Sequence, residues 1–141
     1  AVAEYVASHN LSKQVKLLAK VSEAEKIRHL SLSRLAVYPS ISGESFGIVL
    51  IEAMAAGCVT LAGNNPGYSF VMQNCPEAIF DPFDYDALST LILNCLTSKK
   101  LSYKIMRQQQ HALEQFTDNA VGTRMVEQYR YAIEKIQSKG L

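Results

Sequence analysis

The sequence predicts an α/β fold built on an open, doubly wound parallel sheet. Three observations point there. Short apolar runs at 15–19, 34–39, 58–63 and 77–81 alternate with segments of helical period. Strands separated by helices imply parallel pairing through crossovers. Of the 141 residues, 48% are hydrophobic, enough for a real core in one domain or one piece of a larger one.

The elements follow in order. Residues 1–9 read as the end of a helix, with Val2, Tyr5 and Val6 on one face. "VKLLA", 15–19, is a short apolar run with polar bounds and suits a first strand. Ser22 and Glu25 have capping-box spacing, so a helix starts there and runs to about residue 33. "RLAVYP", 34–39, is a second strand that Pro39 stops, and 46–56 has helical length with Gly57 as its stop. "CVTLAG", 58–63, is a third strand, and "NNPG" after it reads as a turn. "EAIFD", 77–81, is a weaker fourth strand. A turn and a helix follow, with Leu88, Leu91, Ile92 and Cys95 on one stripe. Residues 99–137 read as two helices that break near "FTDNA", where Thr117 or Asp118 caps the second. "RQQQ", 107–110, reads as a solvated stretch.

Charge and composition narrow the function. Fourteen Lys and Arg stand against thirteen Asp and Glu, for a net charge of +1, so the whole chain makes no electrostatic case for nucleic acid. Cys58, Cys75 and Cys95 form no CxxC pair and read as buried, reduced thiols of a cytosolic protein. His9, His29 and His111 are far apart, which argues against a metal site or a Ser-His-Asp triad. The start lacks the charged and apolar regions of a signal peptide, and no apolar run has the length of a membrane span.

The informative stretch is "YPSISGESFGIVLIEAMAAG", 38–57, which sets Glu44 before an apolar helix and Glu52 inside it, seven residues apart. In an open α/β sheet, ligands bind at the carboxyl ends of the strands; the candidate loops are 20–22, 39–47 and 63–68, and this helix follows the longest of them. Glu44 or Ser45 is expected at the cap, with Phe46, Gly47, Ile48 and Val49 in the first turn. Unpartnered amides there suit an anion such as a phosphate. Glu52 lies about two turns further on, or on the order of 10 Å along the axis, near the span of a sugar diphosphate from hexose to ribose. Ionised carboxylates accept hydrogen bonds from sugar hydroxyls, each charge-assisted bond contributing about 1.5–3 kcal/mol. On spacing alone a plainer reading stands beside this one: Glu44 caps the helix, and Glu52 reaches solvent or a neighbouring amide.

The same stretch, extended to "YPSISGESFGIVLIEAMAAGCVTLAG", resembles the signature of retaining GT-B glycosyltransferases, which carry two Rossmann-like domains. Pro39, Ser40, Glu44, Phe46, Gly47, Glu52, Ala53, Met54, Ala55 and Gly57 meet the pattern. "KLLAKVSEAEKIRHL", "GNNPGYSFVM" and "FDPFDYDALSTLIL" have counterparts too, so the likeness covers nearly the whole chain. Ala19 departs from it, standing where glycine is usual. The flavour is closest to phosphatidylinositol mannosyltransferase-like members.

The resemblance implies roles. Glu44 orients hydroxyls of the transferred hexose. Ser45 and Phe46 belong to the same donor loop, and Gly47, Ile48 and Val49 present amides to sugar and diphosphate. Glu52 holds the ribose, and Lys20 and Val21 border the base. The implied reaction is hexosyl transfer, with retention, from GDP-mannose, UDP-glucose or a relative to a lipid or saccharide acceptor, with neither metal nor further cofactor. It further implies that the first strands of this donor domain, and a preceding domain with the acceptor site, lie outside residues 1–141. The chain is then a partial Rossmann-like GT-B C-terminal domain, inactive alone, with the last helix exposing Val126, Tyr129 and Ile133. The implied location is cytoplasmic, with peripheral membrane contact left open. A catalytically incompetent sugar-nucleotide-binding or interaction fragment is the alternative; a nucleotide-sugar epimerase fits the compact Glu-to-Glu spacing less well.

Overall fold

Parallel strands organise the chain, as the alternation of apolar runs requires. The computed structural model describes residues 2–138. Helix α1 (Val2–Ser8) leads through an irregular segment to α2 (Glu23–Leu32), then β1 (Leu35–Tyr38), α3 (Ile48–Ala55), β2 (Val59–Gly63), α4 (Pro66–Met72) and β3 (Ile79–Phe80). Three helices complete it: α5 (Tyr85–Thr97), α6 (Lys99–Leu113) and α7 (Asp118–Ser138). The sheet is parallel, in the order β1-β2-β3. Leu35 pairs with Val59 and Tyr38 with Ala62, while Ala62 and Gly63 pair with Ile79 and Phe80. Strand β2 is central and buried along its whole length, which explains its unbroken "VTLAG".

The capping box at Ser22 and Glu25 forms as the spacing predicts, with Ser22 Oγ accepting from the Glu25 amide and the Glu25 carboxylate from the Ser22 amide. Gly57, at φ +82°, stops α3 in a backbone conformation that costs glycine little. The predicted break at 117–118 is also present, with Thr117 Oγ1 accepting from the Ala120 amide. Leu50, Met54, Leu61, Val71, Met72, Cys75 and Ile105 form the centre of the core, joining α3, β2, α4 and α6.

Three expectations need correction. Residues 15–19 are not a strand: among the described residues no neighbouring strand pairs with them, and Val15, Leu17 and Leu18 stay exposed. "NNPG" is not a free turn but the start of α4, because Asn65 caps it by accepting from the Tyr68 amide and Pro66 occupies the first helical position, where its missing N–H costs nothing. "RQQQ" is not wholly solvated, since Gln109 is only 2% exposed. Its carboxamide donates to the Thr60 carbonyl (2.6 Å) and accepts from the Thr60 amide (3.2 Å). Strand β3 reaches only Ala62 and Gly63, so Gln109 serves Thr60 where a longer strand would. On α7, Val126, Tyr129 and Ile133 are exposed, and Tyr131 is exposed with them.

Candidate functional site

The carboxyl ends of β1 and β2 feed the loops 39–47 and 64–65, where the fold class puts ligands. Gly47 is the cap residue of α3, at φ +87° and ψ +40°, so the helix begins at Ile48 and not at Phe46. The left-handed backbone of Gly47 ends the approach loop and displaces the expected cap from Glu44 or Ser45. No side chain caps α3. The Leu50 amide bonds to the Gly47 carbonyl (2.9 Å), while the amides of Ile48 and Val49 lie ahead of the first intrahelical bond. Glu44, Ser45, Phe46 and Ile48 are exposed around this turn, Val49 is half-buried and Gly47 is buried. The loop and first turn thus gather six of the predicted residues on consecutive backbone.

Glu52 has a partner that spacing did not reveal. Lys26 Nζ stands 2.9 Å from Glu52 Oε1 and 2.8 Å from Glu23 Oε2, and the Lys26 and Glu52 side chains are each 33% exposed. The Glu23 carboxylate first, and Glu52 after it, hold the Lys26 pKa above its ordinary value. Glu52 lines a cavity of about 300 Å³ with Glu23, Ile27, Ala55 and Ala56. Lys20 and Val21 immediately precede the capped end of α2, from which Glu23 and Ile27 line this cavity. Lys20 is exposed and Val21 half-buried.

Glu44 stands instead beside α4. Tyr68 is 2% exposed. Burial first, and then the Glu44 charge, push its phenol pKa up. Next to it, a cavity of about 100 Å³ is lined by Gly63, Asn64, Asn65, Tyr68, Ser69, Met72 and Ile79. Glu52 lines the larger of these two cavities, and Glu44 is among the lining residues of neither. Burial raises the pKa of Tyr38, at the end of β1, most, followed by charge at Cys58, Glu52 and Tyr68. Phe46 packs with Phe70 and Phe116 at ring-centroid distances of 5.9 and 5.7 Å, and Phe70 meets Phe116 at 5.9 Å.

Sequence reasoning missed Lys26 as the partner of Glu52. For Lys26 a signal existed: the capping box phases α2 and puts residue 26 at its first turn, but not opposite α3. Among the described residues, no group of three or more His, Cys, Asp or Glu is placed to hold a metal ion, and no helix is long and apolar enough to cross a membrane.

Fold and site together define a doubly wound α/β domain with a carboxylate-bearing loop leading into an uncapped helix at its strand ends. The chain belongs to the glycosyl transferases group 1 family, which it matches over residues 2–112. It is 27% identical over 120 residues to the phosphatidyl-myo-inositol mannosyltransferase of Mycobacterium leprae, covering 84% of this chain and 32% of that protein. Its identity to the Mycolicibacterium smegmatis protein of the same name is 29% over 93 residues, covering 65% of this chain and 24% of that one. Among solved structures, the sucrose-phosphate synthase of Thermosynechococcus elongatus is similar, with a TM-score of 0.79 and 25% identity over 95% of this chain and 34% of that one. The chain thus spans about a quarter to a third of the length of these relatives.

Proposed function

We propose that residues 1–141 are part of the donor-binding domain of a retaining hexosyltransferase. The donor is a nucleoside diphosphate sugar of the GDP-mannose or UDP-glucose type, and the acceptor is a lipid or a saccharide bound mainly outside this chain. The observation that carries this reading is the turn at Gly47. A carboxylate at Glu44 leads, across three residues, into the uncapped amides of Ile48 and Val49. Those amides and the helix dipole favour the diphosphate, whose negative charge grows as the sugar leaves. Glu44 accepts hydrogen bonds from hexose hydroxyls. Ser45 and Phe46 line the same turn. Glu52 takes the ribose hydroxyls, while Lys20 and Val21 border the base.

In the reaction an acceptor hydroxyl oxygen bonds to the anomeric carbon as the bond from that carbon to phosphate breaks. The nucleoside diphosphate leaves, and its phosphate takes the acceptor proton on the face from which attack comes. No cofactor beyond the donor is required. The protein works in the cytoplasm, with peripheral contact to a membrane where the acceptor is a lipid.

The Lys26–Glu52 ion pair favours a second reading, in which Glu52 only ties α3 to α2 and the chain is a binding or interaction fragment without catalysis. Calorimetric titration of the full-length protein with GDP-mannose and UDP-glucose separates the two. Saturable binding that Glu52→Ala weakens supports the donor reading; binding unaffected by that change removes Glu52 from the ribose.

A further inference from the structure

The segment 63–68 packs against the donor loop at four points. Asn65, 3% exposed, donates from Nδ2 to the Ser40 carbonyl at 2.9 Å, while its Oδ1 accepts from the Tyr68 amide at 3.1 Å. A Cβ on Gly63 would come within 2.8 Å of the Ser40 carbonyl oxygen. One on Gly67 would lie 2.0 Å from the Glu44 carbonyl oxygen and 2.7 Å from Glu44 Cβ, so only glycine lets the two backbones meet. The Tyr68 ring fills the space beside Gly47, where an added Cβ would be 2.8 Å from Cδ1. Three consecutive features of α4's start therefore touch Ser40, Glu44 and Gly47, the beginning, middle and end of the loop.

We propose that Asn65, Gly67 and Tyr68 are positioning residues that clamp this loop and fix the Glu44 carboxylate relative to the first amides of α3. Loops carry functional groups but owe their precision to the rigid elements they rest on. Loop 39–47 has two glycines at positive φ, Gly43 and Gly47, and no strand or helix of its own, so its shape depends on what it packs against. Helix α4 supplies that support from the core, where Tyr68, Val71 and Met72 are buried. The Glu44 charge acting on the Tyr68 phenol agrees with this closeness. The effect on sugar transfer rests on the donor reading above; the clamp on the loop does not.

The test uses the full-length protein carrying Gly67→Ala, Asn65→Ala or Tyr68→Phe, with two readouts. Amide hydrogen exchange reports the clamp without reference to activity. Gly67→Ala and Asn65→Ala should each speed exchange across residues 43–49 by at least about tenfold and leave β2 protected. Tyr68→Phe, which keeps the ring beside Gly47, should retain wild-type protection. Initial rates with a sugar-nucleotide donor report the consequence. Gly67→Ala and Asn65→Ala should lower kcat by at least about tenfold while KM for the donor moves by less than about threefold, because the nucleoside contacts at Lys20, Val21 and Glu52 lie outside the clamped loop. Wild-type exchange in both alanine variants overturns the clamp; a raised KM with unchanged kcat overturns the positioning of Glu44 for transfer. If Gly67→Ala fails to fold, Asn65→Ala decides alone. A wild-type protein that transfers no sugar, combined with loosened loops in the variants, refutes the donor reading and leaves the clamp standing.

Discussion

Lys26 holds Glu52 across the α2–α3 interface at 2.9 Å, so the carboxylate in the middle of an apolar helix is matched by a cation 26 residues earlier. An ionised group among Leu50, Ile51, Ala53 and Met54 needs donors, and Lys26 supplies the first of them. Its remaining lone pairs stay available to a ligand. Glu52→Ala is expected to weaken nucleoside diphosphate binding by roughly ten- to a hundredfold, the loss of one or two charge-assisted hydrogen bonds. Lys26→Met should weaken it less and remove part of its dependence on ionic strength, because the pair is partly exposed and screened. Titration calorimetry at low and high salt measures both.

Gln109 bonds to both backbone groups of Thr60 in a place closed to water. Gln109→Ala leaves a buried amide and carbonyl without partners, and a destabilisation of about 2–4 kcal/mol is expected. Urea unfolding followed by circular dichroism checks it. A change below about 0.5 kcal/mol would mean that water or a rearranged chain takes over both bonds.

Phe116 joins the end of α6 to Phe46 and Phe70 by two edge-on ring contacts. Aromatic pairs contribute about 0.5–1.5 kcal/mol each beyond burial, so Phe116→Ala should cost about 1–3 kcal/mol by the same measurement. Phe116→Leu keeps apolar bulk and should recover part of that loss.

The buried cysteines predict a decline in stability at alkaline pH. Burial raises the Cys75 thiol from 9.0 to about 11, with the Glu77 charge adding to it, and burial raises Cys58 and Cys95 in the same direction. The unfolded chain loses these protons above pH 9 while the folded one keeps them. The stabilising contribution is therefore complete below pH 9 and disappears as pH rises toward 11. For Cys75 alone the change is about 2–3 kcal/mol over that window. Burial also raises the phenols of Tyr38 and Tyr68 from 10.0, which adds a loss of the same sign at higher pH. Thermal melts from pH 8 to 11 should fall steadily, and Cys75→Ala should flatten the slope between 9 and 11.

The sequence by itself determined the capped start of α2, the stop at Gly57 and the break at Thr117, because each depends on neighbours within one or two turns of chain, and it marked the strands at 35–38 and 59–63, while of 77–81 only Ile79 and Phe80 pair. It also marked the loop from Glu44 to Val49, a consecutive run. Tertiary structure decided the rest. "VKLLA" has a strand's composition but no strand beside it, and pairing is a property of two segments. Glu52 meets Lys26, Glu44 meets Gly67 and Tyr68, and Thr60 meets Gln109. Each of these contacts joins separate elements, and their meeting depends on how helices pack on the sheet. Local periodicity carries no record of that angle, so the chain names the groups while the fold selects their partners.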